Sequence, residues 1–279
     1  MDDDLGVRKA RQGGGPETEA NEAARSRNIA TLRVLNVLSA FAFERPSFGV
    51  TDLAGHLGMT KNMVHRALAT LVDQGFLVRD ASGTRYELGF GVLALQNPYF
   101  PAPDFRTLAG PCLRRLHEIS GGTAQLSVRA GDFQVVIDGV EGFGVMAIRT
   151  KIGVLMPLHA SAASRAILSA LPDQEIEAYM KRNAPLKRFT ENTLTEPAQI
   201  WKEVRAIRAR GCAEGLEDHS RGGHSVSFYV LGADGLPHGA VTVGGPKSRF
   251  TPERMKELMP EFVAAVNDLR RQAALYEVS

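Results

Sequence analysis

At 279 residues, with 44% hydrophobic and 23% charged side chains, the chain has the composition of an ordinary globular protein and the length of about two domains. A formal net charge of +2 excludes a surface that coats a polyanion indiscriminately, so any such affinity must come from local placement of Lys and Arg. Two widely spaced cysteines, Cys112 and Cys212, exclude a disulfide framework and fit a reducing cytoplasm, and no apolar run reaches the roughly 18 residues of a membrane span.

Residues 1–24, with Asp2-Asp3-Asp4 and Gly13-Gly14-Gly15-Pro16, carry too little apolar surface to order themselves. They read as a disordered tail without the apolar segment of a secretory signal. Residues 25–90 have a different pattern. Ile29, Leu32, Leu35, Val37, Leu38 and Phe41 recur at helical spacing, with Asn28 suited to the N-cap and Arg45-Pro46 to the break that follows. Thr51 or Asp52 suits the cap of a second helix that turns Leu53, Ala54 and Leu57 inward, and Gly58 supplies the next turn. Thr60 caps a third helix whose inward positions are Met63, Val64, Ala67, Leu68, Leu71 and Val72. Gly75 suits the left-handed position after it. Residues 76–78, a tip at Ala81-Ser82-Gly83-Thr84, and residues 86–88 form a hairpin.

A capped helix, a glycine turn, a second capped helix and a basic hairpin in unbroken order make a winged helix-turn-helix, which presents its second helix to the DNA major groove. On that helix Lys61, Asn62, His65, Arg66 and Ala69 cannot face inward. Thr60, Lys61 and Asn62 stand at its N-terminus, where backbone N–H groups also favour phosphate. His65 and Arg66, a turn further on, reach base edges or flanking phosphates. Arg79 and Arg85 flank the hairpin tip and suit phosphate or minor-groove contact. The expected partner is double-stranded operator DNA. The plainer alternative is a solvated charged face, or a winged helix that only makes protein contacts.

Residues 91–104 read as a linker helix and linker, broken by Asn97-Pro98, Pro101 and Pro103. Residues 105–276 then form a second domain. A helix over 105–119 precedes strands at 123–129, 134–140 and 145–150, and helices at 160–170 and 173–182. Glu196-Pro197 opens a helix that Gly211 stops, strands follow at 225–231 and 240–243 around an Asp234-Gly235 turn, and Pro252 starts a last helix to about Leu275. This order predicts an α+β unit with helices packed on a sheet.

Several segments together resemble the isocitrate-lyase-regulator (IclR) family of bacterial transcription factors. In the first domain these are Asp52-Leu53-Ala54, the run from Lys61 to Leu68, Gly75-Phe76-Leu77 and Tyr86-Glu87-Leu88-Gly89. In the second they are Ile152-Gly153, Pro157-Leu158-His159-Ala160-Ser161, Ala166-Ile167-Leu168, Arg210-Gly211, Glu217, Gly222 and Val243-Gly244-Gly245-Pro246 with Phe250. The resemblance implies a GAF-like effector-binding domain, a homodimer or homotetramer, and control of a catabolic operon by a small, often acidic metabolite. Carried across by motif, the effector-binding positions are Ile148, Ala162, Ala163, Gly215, Ser225 and Thr242. This chain departs from the pattern in having Ser164-Arg165 where a Gly-Lys pair is common, Ser227-Phe228-Tyr229-Val230 where Ala-Ala-Pro-Val is common, Glu217-Asp218 where two glutamates are common, and Gly215 at the usual acidic position. Phe228 and Tyr229 either reshape the pocket or pack into the core.

Other chemistry finds little support. Gly142-Phe143-Gly144-Val145-Met146-Ala147 fits G-x-G-x-x-A, but a strand is expected after it and no acid stands about 20 residues on, so a hairpin turn accounts for it better. Gly245-Pro246-Lys247-Ser248 lacks the frame of a phosphate loop. His159, His219 and His224 with Glu217 lack metal-ligand spacing, and no G-x-S-x-G elbow occurs. The expectation is a regulator with no catalytic residues, no cofactor and no metal; the rivals are an enzyme or small-molecule sensor with a winged helix for protein contacts, and a metal-responsive regulator using His219 and His224.

Overall fold

The computed structural model describes residues 29–41, 47–96, 105–142 and 152–275. The expected tail, the Asn28 cap, the Arg45-Pro46 break, the prolines at 98–103 and the strand at 145–150 lie outside the described residues. The chain divides into two compact units, one up to Tyr99 and one from Phe100.

The N-terminal unit contains α1 (29–41), β1 (Ser47–Phe48), α2 (Val50–Leu57), α3 (Lys61–Asp73), β2 (Leu77–Arg79), β3 (Tyr86–Leu88) and α4 (Gly91–Gln96). Its core is the apolar stripes of the three longer helices closed by the hairpin: Val37, Phe41, Leu53, Val64, Leu68 and Leu77 are buried together. Gly58 ends α2 in the left-handed conformation, with φ +62°. Thr60 begins α3 by accepting a hydrogen bond from the Met63 N–H at 3.3 Å. At the far end of α3 the N–H of Phe76 bonds to Leu71 O and that of Gly75 to Val72 O, a Schellman closure that Gly75 permits with φ +74°. The hairpin returns so close to this turn that a Cβ on Gly89 would lie 2.4 Å from Gly75 O. Backbone contact there is possible only without side chains.

Three expectations for this unit are corrected. Neither Thr51 nor Asp52 caps α2: the helix starts at Val50 behind an extended Gly49 that has no side chain to bond, and Asp52 sits in the first turn. Met63 faces solvent, because the inward arc of α3 is already filled by Val64, Ala67, Leu68 and Leu71. The hairpin also has a third strand, β1, paired to β3 through Ser47↔Glu87 and Phe48↔Tyr86. Two residues are too few to show an alternation in sequence.

The C-terminal unit runs α5 (Phe105–Ser120), β4 (Thr123–Ala130), β5 (Phe133–Val140), β6 (Leu155–Pro157), α6 (Ala162–Ser169), α7 (Asp173–Arg182), α8 (Pro197–Arg210), β7 (Ala213–Leu216), β8 (Gly223–Leu231), β9 (Pro237–Pro246) and α9 (Pro252–Ala273). The strands form one antiparallel sheet in the order β6-β5-β4-β9-β8-β7. Period-two alternation gives the sheet two unlike faces. On one face Leu126, Val226, Phe228, Val241 and Val243 pack with Leu113 and Leu116 of α5 and with Phe262, Val266 and Leu269 of α9. The other face carries Gln125, Ser127, Gln134, Ser225, Ser227 and Thr242, and α6 lies against it with every residue buried. The short strands β6 and β7 were not legible in sequence. The expected 160–170 helix begins at Ala162 because the Ser161 hydroxyl caps the Ser164 N–H at 3.2 Å.

The family departure at 227–230 resolves as packing. Phe228 belongs to the apolar face, while Tyr229 is half-buried beside the α6–α8 cluster, with the Arg270 guanidinium 5.3 Å from its ring.

Candidate nucleic-acid interface and ligand cavity

The exposed arc of α3 is set by its buried one. With Val64, Ala67, Leu68 and Leu71 fixed in the core, the 3.6-residue period turns Lys61, Asn62, His65 and Arg66 to solvent, beside the cap Thr60. The first turn of α3 carries no acidic residue, so the partial positive charge of its free N–H groups is not offset within the helix.

The two hairpin arginines differ. Arg79 is exposed, with its guanidinium 5.4 Å from the Tyr86 ring centroid. Arg85, expected to face phosphate, points partly inward: Nε donates to Ser47 Oγ at 3.0 Å, Nη2 to Ser47 O at 2.9 Å, and Nη1 to Asp52 Oδ2 at 3.4 Å. It braces the hairpin to β1 and to the first turn of α2, which sequence spacing alone could not reveal. The tip is shaped by Asp80, which the sequence reading missed although an Asp two residues before a Ser is a turn signal. Its carboxylate accepts from Ser82 Oγ and from the Thr84 and Arg85 N–H groups, and the Arg85 bond leads in holding its pKa below the usual carboxylate value.

In the C-terminal unit the polar face of the sheet, the start of α6 and the loop after β7 enclose a cavity of about 200 Å³. Of the six expected effector residues, Ala162, Ala163, Ser225 and Thr242 line it. Gly215 does not. It lies in β7 behind the wall, where a Cβ would meet Ser225 Oγ at 2.6 Å, Ala162 Cβ at 3.1 Å and Asp218 Oδ1 at 3.1 Å. Ile148 lies outside the described residues. The sequence reading missed Gln134, Ser161, Asp218 and His219, which also line the cavity. Gln134 carried a signal, a polar residue at an inward position of an apolar strand, whereas Asp218 and His219 reach the cavity from an irregular loop.

Asp218 is held by Arg165, the residue that replaces a lysine of the family pattern. Both are buried; Arg165 Nη1 donates to Asp218 Oδ2, and Nη2 donates to Glu214 O at 2.6 Å. A guanidinium can make both bonds at once, which an ammonium on a flexible stem does less rigidly. The Asp218 backbone carbonyl is fixed as well, accepting from Thr193 Oγ1 at 2.6 Å and Thr190 Oγ1 at 3.1 Å. The His219 ring lies tilted at 52° against Phe189 with centroids 5.4 Å apart, and burial pulls its pKa below the usual imidazole value.

The other histidines are committed separately. His159 Nε2–H donates to Lys187 O at 2.9 Å, which leaves Nδ1 to accept from the Tyr179 hydroxyl at 2.7 Å. Burial lowers the His159 pKa too. His224 Nδ1–H donates to Phe250 O at 2.8 Å, and Lys247 pairs with Glu217 at 3.1 Å. Among the described residues no group of three His, Cys, Asp or Glu side chains is placed to hold a metal ion.

Two family profiles match this chain: the IclR helix-turn-helix domain over residues 30–81, and the bacterial transcriptional regulator IclR C-terminal over residues 99–271. The HTH-type transcriptional regulator KipR of Bacillus subtilis is 28% identical, over 88% of this chain and 98% of that protein. A putative transcriptional regulator from Rhodococcus sp. RHA1 superposes with a TM-score of 0.73 at 26% identity, over 88% of this chain and 98% of that one. An IclR homolog from Microbacterium hydrocarbonoxydans, solved in complex with 4-hydroxybenzoate, shares the fold with a TM-score of 0.71 at 19% identity, over 87% of this chain and 99% of that one. With its helix-turn-helix unit followed by an α+β unit that contains a cavity, the chain belongs to the IclR family of bacterial DNA-binding transcriptional regulators.

Proposed function

We propose that the protein is a ligand-responsive regulator of a catabolic operon, in which a small organic acid bound in the C-terminal cavity shifts the protein between DNA-binding states. The observation that carries this reading is the mouth of α6. The N–H groups of Ala162 and Ala163, at the first two positions of the helix, have no acceptor within it, and both residues line the cavity. A helix N-terminus opening into a partly closed, largely apolar pocket favours a carboxylate there. The C-terminal unit thus works as a GAF-like effector-binding domain.

On the DNA side, Thr60, Lys61, Asn62, His65 and Arg66 read the operator, with Arg79 on the flanking backbone and Arg85 holding the hairpin in place. The working unit is a homodimer or a homotetramer. Supporting this, Ile29, Leu32 and Leu35 of α1, Phe90, and Leu93 and Leu95 of α4 are all exposed, more apolar surface than one small unit ordinarily leaves in water. We take residues 1–24 as a tail, 25–90 as the DNA-binding domain, 91–104 as the linker and 105–276 as the effector domain. No helix among the described residues is long and apolar enough to cross a membrane, and the proposed setting is the cytoplasm.

The test is a gel-shift titration of the purified protein against DNA from upstream of its own gene, with and without small carboxylic acids. Salt-sensitive retardation that an acid alters is the expected outcome. Absence of retardation at low salt would leave the winged helix as a protein-contact module. Retardation that no acid changes, with no acid raising the melting temperature, would remove the effector reading.

A further inference from the structure

The helix α3 exposes a side chain that its polar surroundings do not explain. Met63, at the third position of α3, is 37% exposed and, among the described residues of that helix, is the one large apolar side chain that faces solvent. Its exposed neighbours are polar: Asn62 precedes it and Arg66 follows one turn on. Met63 and Arg66 also line an open groove against α1, together with Arg33, the half-buried Val34 and the buried Ala67. Among the described residues neither arginine forms an ion pair, so the groove sets unmatched positive charge beside an apolar surface. Leu32 and Leu35, the apolar residues of α1 that suit a second copy of the chain, do not line it. Unmatched cations favour a phosphate backbone, and an apolar side chain beside them is best buried on an apolar group of the same partner. The thymine 5-methyl is the apolar group that the DNA major groove displays, on a base edge between two phosphate backbones.

We infer that Met63 is a specificity-determining residue that reads thymine in the operator by packing its thioether on the 5-methyl group. The inference rests on the DNA-reading role of α3 and adds an apolar readout to it, distinct from the hydrogen bonds that Lys61, Asn62, His65 and Arg66 can make. Methionine suits the contact, since an unbranched, polarizable side chain can follow a methyl group as the helix settles in the groove. Cytosine has a hydrogen where thymine has the methyl, and beside it an amino group that a thioether satisfies poorly. The contact therefore selects against a C·G pair at that position.

Fixed-salt gel-shift titrations of the full-length protein on its own upstream DNA, amplified with either dTTP or dUTP, provide the test, because uracil lacks only the methyl of thymine. The wild-type protein should bind the uracil DNA about fourfold more weakly for each methyl contacted, the worth of one buried methyl group. Met63→Ala should show a similar loss on thymine DNA, and its own thymine-to-uracil ratio should fall toward one. Met63→Leu, apolar and of similar volume, should keep the thymine preference. Any change of DNA shape caused by uracil acts on wild type and variant alike and cancels in this cycle. Equal binding of both DNAs by the wild type, or the same ratio in Met63→Ala, overturns the inference while leaving DNA binding by α3 intact. An unchanged ratio with a lowered melting temperature in Met63→Ala would assign Met63 to packing against α1 instead. No retardation of either DNA overturns the DNA-reading role itself.

Discussion

In the N-terminal unit the proposed DNA-facing surface is a run of near neighbours, Thr60 to Arg66, exposed because Val64, Ala67, Leu68 and Leu71 turn the opposite side of the helix into the core. In the C-terminal unit the cavity draws Gln134 from β5, Ala162 from α6, Asp218 from a loop, Ser225 from β8 and Thr242 from β9. A helix presents a surface through its own period and needs the core only to choose which side faces out. A cavity exists only when distant strands are in register. The first surface should therefore tolerate substitution at the price of contacts alone, whereas a change under the second should disturb the fold that creates it.

The sharpest way to break this contrast is Arg165→Met. It strands the Asp218 carboxylate in a buried site, and the C-terminal unit should lose about 3–5 kcal/mol, read from its chemical-denaturation midpoint. A loss under about 1 kcal/mol would mean that water reaches the pair and that the cavity floor is not rigid. Arg66→Ala belongs to the other regime: about 1–3 kcal/mol of operator affinity lost in a fixed-salt gel shift if it pairs with a base, with unfolding unchanged. Unaltered affinity would remove Arg66 from the reading set.

Thr60→Ala tests whether the recognition helix depends on its own cap. Losing the bond to the Met63 N–H should cost about 1 kcal/mol of stability in the N-terminal unit, and an unchanged midpoint would show that packing alone sets the start of α3. The smallest effect is a pH slope. Burial holds His159 and His219 below the usual imidazole pKa of 6.5, so as pH falls through that value the unfolded chain takes up protons that the folded one refuses. The C-terminal unit should keep this contribution above pH 6.5 and lose it progressively below. His159→Gln should flatten the slope, and an identical slope in the variant would exclude His159 as its source.

Legibility followed the same division. The helix-turn-helix, the Thr60 cap, the Gly58 and Gly75 turns and the bounds of α7 and α8 all rest on interactions within a few residues, and each was readable in order. Strands β1, β6 and β7 were not, since two to four residues carry no period and are strands only because a partner lies alongside. In the cavity, Ala162, Ala163, Ser225 and Thr242 came through family resemblance. Asp218 did not, because no local pattern marks a loop carboxylate as facing a cavity, and Gln134 was legible only as a polar residue at an inward strand position.

By itself the sequence determined that there is a helix-turn-helix, which residues of its second helix face out, Met63 excepted, and that an α+β unit follows, because local hydrogen bonding and hydrophobic period decide those points. Tertiary structure alone decided that Arg85 braces the hairpin rather than standing free, that Gly215 lies behind the cavity wall, and that Phe228 fills the core. It also decided that Arg165 and Asp218 meet across 53 residues of chain. Each of these is a contact between segments far apart in sequence, made only once the sheet has brought them into register.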